Sequence, residues 1–485
     1  MWFSRNVNLP SSIPERIQYA RSQGGWHRRG LLFVSLFAFV SSAFAQSKPT
    51  NSAASDIQMS QLRVGFSQIN IATRDILPMG GYGTYVLKTP RLSSEGIHDP
   101  LYASAVVIES AQGQLAALVS LDAVGLSGTQ IERIEKAVRE SVDSKIEIII
   151  SATHTHHSPD TLGLWGSIPR TGRDSRYSAQ LETATVQAVR EAFAKREKAK
   201  VSSRVGRHAN DSSAARNSFD VNDDFLWLGF YGLEDGQLLG TFTQWSAHPT
   251  VLGMENNALS SDYIGAYRET LSQKLARVPH VYVNGALGKV YPLIPKADDP
   301  TLIADLFPNG SHDPDVKDGY RIVSTVGARL ADAVLSSPEV SMPDFASSGI
   351  NVCHVPVKFP VDNFLFKLAG ELKAVETRIK HGEIATRVTA ISVGPLVFTS
   401  IPGEAFPKVI RKIDPSVYAG RRPVWMGLGQ EWLGYFVDPD DYKNSELKYW
   451  TGLSVFKNAE GILLEGESKA LQSKDCRSFD DEIEF

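Results

Sequence analysis

The feature that most restricts the fold is an alternation of two hydrophobic periods between residues 115 and 193. Leu115–Leu121 (LAALVSL) is a continuous apolar run of buried-strand type. Ile131, Ile134, Val138 and Val142 then recur at helical spacing with charges between them, and residues 146–150 (IEIII) make a second strand. Leu181, Ala184, Ala188 and Ala192, with Val189 and Phe193, mark a second amphipathic helix. It ends in a Lys/Arg-rich turn suited to the negative end of a helix dipole. Strand, crossover helix and strand in that order imply parallel pairing. Further strands are expected at 225–231, 238–246, 281–283, 352–357, 388–393 and 397–401, and helices near 262–276, 316–335, 364–379 and 404–412. Glu234-Asp235-Gly236 interrupts the 225–246 stretch as a hairpin turn would. The class is α/β, with mixed β-sheets flanked by helices. The chain has 485 residues, a length that suggests about three domains, but no linker or repeat follows Leu62. One large domain over 61–485 is therefore expected.

The first 60 residues read differently. His27-Arg28-Arg29 precedes an apolar run from Leu31 to Val40 and small residues ending Ala43-Phe44-Ala45. A positive flank, a short apolar core and an A-x-A site make 1–45 a secretory signal peptide. The run is shorter than the ~20 apolar residues that a membrane anchor needs. Residues 46–60, rich in Ser, Ala and Asn, form a disordered lead-in. The expected location is secreted or periplasmic. Removing 1–45 leaves 45 basic and 53 acidic residues, with no lysine-rich run, and this argues against a nucleic-acid partner. Export permits disulfides. A Cys353–Cys476 bridge is open, but Cys353 lies in an apolar strand-like run, which favours a buried free thiol.

The chemistry concentrates at strand exits. Three of the 11 histidines fall within four residues, His154, His156 and His157, directly after the 146–150 strand. If the chain continues extended, residues i and i+2 share a face, so His154 and His156 line one cavity and His157 faces away. Two imidazoles on one face make half of a zinc site, at the strand end where α/β proteins build sites. The plain alternative is a polar loop whose histidines bond backbone carbonyls. His248 leaves a second strand before Pro249. Glu404 follows a Pro402-Gly403 turn, and reads either as an acid at a helix N-terminus or as a stiffly held ligand. The segment from Gly427 is rich in aromatics, among them Trp432, Tyr435, Tyr442, Tyr449 and Trp450. Packing is their default role. H-E-x-x-H, Walker A, G-x-S-x-G and a G-x-G-x-x-G after a strand are all absent from the sequence, which leaves the usual dehydrogenases, kinases and serine hydrolases without support.

An ordered series of segments resembles the neutral/alkaline non-lysosomal ceramidase family. It comprises Met79-Gly80-Gly81-Tyr82-Gly83, Gly96-Ile97-His98-Asp99-Pro100-Leu101-Tyr102-Ala103, Ser120-Leu121-Asp122, Ala152-Thr153-His154-Thr155-His156 with Pro159, His248-Pro249-Thr250, Ser260 to Gly265, Asn284-Gly285, Pro402-Gly403-Glu404, and Tyr435 to Tyr449. The resemblance implies hydrolysis of the amide of N-acylsphingosines by an enzyme with one Zn2+ per chain. It implies His154, His248, Glu404 and Tyr435 as metal ligands, with His156 and Tyr449 catalytic beside them. The partners implied are a small-molecule or lipid substrate and a transient membrane-surface contact, with no stable protein partner. Departures bear on the substrate: His157-Ser158 stands where ceramidases have Ser-Gly, Ala286-Leu287-Gly288-Lys289 follows Asn284-Gly285, and Trp432 replaces a usual tyrosine. The end at Phe485 implies a short form without the family's C-terminal immunoglobulin-like domain. A zinc amidase or esterase for another substrate, or a secreted binding protein with structural zinc, remain the alternatives.

Overall fold

The computed structural model describes residues 62–82, 90–167, 170–211, 222–293 and 316–476, apart from 372, 374, 378 and 475. The signal peptide and lead-in expected at 1–60 lie outside the described residues.

The first sheet has nine strands. They are β1 (Arg63–Asn70), β2 (Tyr102–Glu109), β3 (Leu115–Leu121), β4 (Glu147–Ala152), β5 (Glu197–Arg207), β6 (Asp224–Gly232), β7 (Leu238–Gln244), β8 (His280–Val283) and the two-residue β9 (Val340–Ser341). The order is β4-β3-β2-β1-β5-β6-β7-β8, with β9 beside β5. The pairs β3/β4 and β7/β8 are parallel, and the remaining neighbours run antiparallel. A second sheet, β10 (Ile350–Pro360), β11 (Glu383–Val393), β12 (Leu396–Ile401) and β13 (Arg422–Gly427), is antiparallel except for β12/β13.

The two sheets stack face to face. Val64, Phe66, Val106, Leu118, Leu226 and Phe242 from the first meet Ile391, Val393, Phe398, Val424 and Met426 from the second in one buried cluster. Each large side chain taken from water into such a layer contributes about 1.5–3 kcal/mol. Strand alternation sends the other face of the first sheet outward to helices α1 (Gly128–Ser141), α2 (Ser175–Ala194), α3 (Tyr263–Lys274) and α4 (Val316–Ser336). On the far side of the second sheet, α5 (Ala459–Leu471) lies on β10 and β11. The result is four layers, helix–sheet–sheet–helix.

Local chemistry explains the helices. Ser127 caps α1 by accepting the Gln130 N–H, while Ile131, Ile134 and Val138 turn inward. Asp174 caps α2 on the N–H groups of Arg176 and Tyr177. The small Ala184, Ala188 and Ala192 let α2 approach so closely that a Cβ on Gly65 would sit 2.0 Å from the Ala192 carbonyl oxygen.

The strands and helices read from periodicity appear within a few residues of their expected ends. The parallel β3-α1-β4 crossover and the β6/β7 hairpin appear as expected. Two helices are shorter. The 364–379 reading contracts to Phe364–Glu371, and the 404–412 reading to Pro407–Ile410. Glu404 does not open a helix, because with Ala405 it forms a two-residue parallel ladder on Tyr435 and Phe436. The free thiol favoured for Cys353 is also overturned. Cys353 and Cys476 form a disulfide with Cα atoms 4.9 Å apart, tying the segment after α5 to β10.

Glu467 on α5 is fully buried, accepts the Thr399 hydroxyl at 2.6 Å on one oxygen and has no partner on the other. Burial pushes its carboxyl up to about 8, with the Thr399 bond partly opposing. The folded state therefore holds a proton that the unfolded state releases above pH 4.5, so this group's contribution to stability declines between about pH 4.5 and about pH 8. Glu467→Gln should remove that decline. Urea denaturation at pH 5.5 and pH 8 should show the variant losing less stability than wild type, by on the order of a few kcal/mol.

Candidate metal centre

The parallel pairs place the carboxyl ends of β4, β7, β12 and β13 at one end of the stacked sheets. Backbone bonds hold these ends together: the Gln430 N–H donates to the Ile150 carbonyl at 3.0 Å, and Ser151 bridges to Gly429. His154, His156, His248, Glu404 and Tyr435 all follow one of these exits.

After β4 ends at Ala152 the chain does not stay extended. His154 takes a left-handed conformation, φ 66°, with its N–H bonded to the Ala123 carbonyl at 3.0 Å. A non-glycine residue there costs roughly 1–3 kcal/mol and persists where the surroundings over-determine it. This turn, and not strand alternation, brings His154 and His156 together, their Nε2 atoms 3.1 Å apart. His157 does point away, receiving the Asn256 amide N–H at 3.1 Å and lying 3.6 Å from Asp262. Gly81, φ 102°, lies against His156, where an added Cβ would come within 2.2 Å of the ring. The edge of Tyr82 covers the same imidazole at 4.7 Å, and Arg91 donates to the His156 carbonyl.

Hydrogen bonds fix the tautomers. Nδ1–H of His154 donates to the Val124 carbonyl at 2.5 Å, and Nδ1–H of His248 to the Val290 carbonyl at 2.9 Å. Both Nε2 atoms are thus left as lone pairs. They face one oxygen of Glu404, Oε2, at 3.3 Å from His154 and 3.0 Å from His248. The Tyr435 hydroxyl lies 3.4 Å from His248 Nε2. All four residues are buried.

Buried acceptors turned on one another require protons or a cation between them. The titration pattern follows. Burial works against the Glu404 charge, yet His154 and His248 hold its carboxyl well below the ordinary range. Burial lowers His154, but Glu404 outweighs it and the net shift is upward. Burial, reinforced by His154 and His248, keeps His156 far below the usual imidazole value. Burial and the Glu404 charge hold the Tyr435 phenol well above its own.

The donor set suits a divalent ion. His154, His156 and His248 offer ligand atoms all within 4.8 Å of one another. Ligands about 2.0–2.1 Å from a tetrahedral ion stand roughly 3.3 Å apart, close to the 3.0, 3.3 and 3.4 Å found here. His154, His156, Glu404 and Tyr435 line the floor of a narrow cleft walled by Leu164, Trp165, Trp432, Tyr449 and Leu453. Tyr449, half exposed, stands outside the inner group with its ring 6.5 Å from that of Tyr435.

The sequence reading named Trp432 without a role at this site, and it missed Tyr291 and the carbonyls of Val124 and Val290. The Trp432 indole N–H donates to Glu404 Oε1 at 3.0 Å, Tyr291 stacks on His248 at 4.9 Å, and the carbonyls of Val124 and Val290 orient the imidazoles. Only Gly80-Gly81, a glycine pair before Tyr82, signalled a close backbone approach.

No protein-family model matches the chain. Over 281 residues it is 27% identical to the neutral ceramidase of Drosophila melanogaster, a match covering 50% of this chain and 39% of that protein. The neutral ceramidase from Pseudomonas aeruginosa superposes with a TM-score of 0.66 at 15% identity, covering 86% of this chain and 76% of that one. A ceramidase complexed with C2 gives 0.65 at 14% identity over the same shares. The chain has the fold of these structures and is similar in sequence, over part of its length, to a neutral ceramidase.

The purified protein is expected to bind one divalent ion per chain. In chelator competition, His154→Ala and His248→Ala should each weaken binding by more than roughly 100-fold, beyond the range of outer-shell losses. His157→Ala, on the other side of the turn, should change it little.

Proposed function

We propose that this relative of the neutral ceramidases is a zinc-dependent amidohydrolase that cleaves N-acylsphingosine, or a related N-acyl lipid, to a fatty acid and an amine. One observation carries the reading: the buried convergence of His154, His248, Glu404 and Tyr435, three of which, His154, Glu404 and Tyr435, line an apolar-walled cleft. In this reading those four residues hold one zinc ion, and His156 and Tyr449 act on the substrate.

When bound, the ion supplies a Lewis acid for the acyl carbonyl and lowers the pKa of a water to about 7. The chain's own residues do the rest. Leu164, Trp165 and Leu453 take the acyl chain and exclude water from the floor. His156, kept neutral by burial and by its two neighbouring imidazoles, accepts a proton from the attacking water and passes it to the departing amine. Burial pushes the Tyr449 phenol up, so its hydroxyl remains a donor for the developing oxyanion.

Location and entry belong to the same proposal. The Cys353–Cys476 disulfide supports export to an oxidising compartment, in keeping with the signal peptide read at 1–45. Phe364, 71% exposed on the helix that stacks Phe366 against Trp432, and half-exposed Tyr449 offer apolar contact to a membrane surface from which a lipid is drawn. Residues 61–485 act as one catalytic domain.

The test combines metal analysis with release assays on short- and long-chain N-acylsphingosines. Zinc with turnover that chelation abolishes is the expected result. Zinc without turnover of either substrate, but with cleavage of another N-acyl or ester compound, would move the assignment to a different hydrolase. Zinc with no hydrolysis of any would leave a structural ion in a binding protein. His156→Ala should retain zinc and lose activity by about 100-fold or more, the range of a general acid–base group.

A further inference from the structure

The two oxygens of Glu404 have different partners. Oε2 faces the Nε2 atoms of His154 and His248, whereas Oε1 receives the indole N–H of Trp432 at 3.0 Å. Carboxylate and indole are both buried. A carboxylate can turn about its final bond and offer a cation one oxygen or two. A donor fixed on Oε1 removes that freedom.

Trp432 is itself immobilised. Its ring stacks on Phe366 at 6.0 Å and lies 6.4 Å from that of Trp165. An added Cβ on Gly125 would touch its ring base at 3.1 Å, so the backbone approaches there at full contact. The next residue, Leu433, donates its N–H to the Pro402 carbonyl at 3.0 Å, and Glu404 donates its own to Gly434 at 2.8 Å. Indole and carboxylate therefore sit on one braced pair of segments. The indole is also a wall of the cleft.

We infer that Trp432 is a positioning residue, holding Glu404 to the cation through Oε2 alone from the wall along which substrate lies. The inference rests on the metal reading above and deepens it. It links the two halves of the site, since the side chain that substrate would touch is the one that sets the ligand geometry.

The test is zinc affinity by competition with a chromophoric chelator, which needs no substrate. Trp432→Phe keeps an aromatic ring and removes the donor, and should bind zinc about 10–100-fold more weakly. Trp432→His, which retains a ring N–H, should recover most of that loss. Trp165→Phe, in the same wall but without a bond to Glu404, should match wild type. Wild-type affinity in Trp432→Phe would overturn the inference, and so would equal losses in the Phe and His variants, because packing would then be the cause. Should Trp432→Phe fail to fold by near-ultraviolet circular dichroism, benzothienylalanine at position 432 places sulfur where the N–H was, with the same expected loss. A wild-type protein that binds no zinc would instead sink the metal reading itself.

Discussion

The site depends on a set of buried hydrogen-bond acceptors turned on one another. Backbone carbonyls take the Nδ1 protons of His154 and His248, and this commits both Nε2 lone pairs to the interior. There they meet a carboxylate oxygen at 3.0 and 3.3 Å. Such an arrangement is repulsive unless positive charge stands between its members, and burial magnifies the repulsion that bulk water would screen. The rest of the local architecture maintains this confrontation: the left-handed turn at His154, the two-residue ladder of Glu404 on Tyr435, and the indole that holds the second carboxylate oxygen.

Stacking two mixed sheets makes the confrontation geometrically accessible. A parallel pair delivers two chain exits to the same edge, as β3/β4, β7/β8 and β12/β13 do within the two sheets. Histidines from the first sheet and an acid and a phenol from the second then approach across the seam between sheets. No single element contains a ligand set. The assembly therefore requires both sheets to be in register with each other.

Much of this was legible in the sequence, and unevenly so. The apolar runs of β3, β4 and β12, and the 3.6-residue periods of α1 and α2, identify themselves because one face or both must be buried. Strands β1, β2, β5 and β13 were not anticipated, since Ser104, Gln68 and the charged residues of 197–207 dilute their alternation, and neither was α5, where Glu467 is buried against type. His154 and His156 were expected on one face for a reason that proved wrong: strand alternation was invoked, whereas a positive φ does the turning. Glu404 could not be separated from a helix-capping acid, because its strand partner Tyr435 lies 31 residues downstream and pairing at that range leaves no local trace. The same holds for the bridge between Cys353 and Cys476, which are separated by 123 residues.

That bridge divides the site into two unequal halves. Glu404, Trp432, Tyr435 and Tyr449 all lie inside the covalent ring it closes, and the three histidines lie outside it. Cross-linking restricts the wanderings of a chain that has come apart, and only for the stretch it encloses. The acidic and aromatic half is thus kept near its native neighbourhood during partial opening, while the imidazole half is tethered by the first sheet alone. Under reducing conditions this asymmetry vanishes, and the carboxylate and phenol become as free to drift as the histidines.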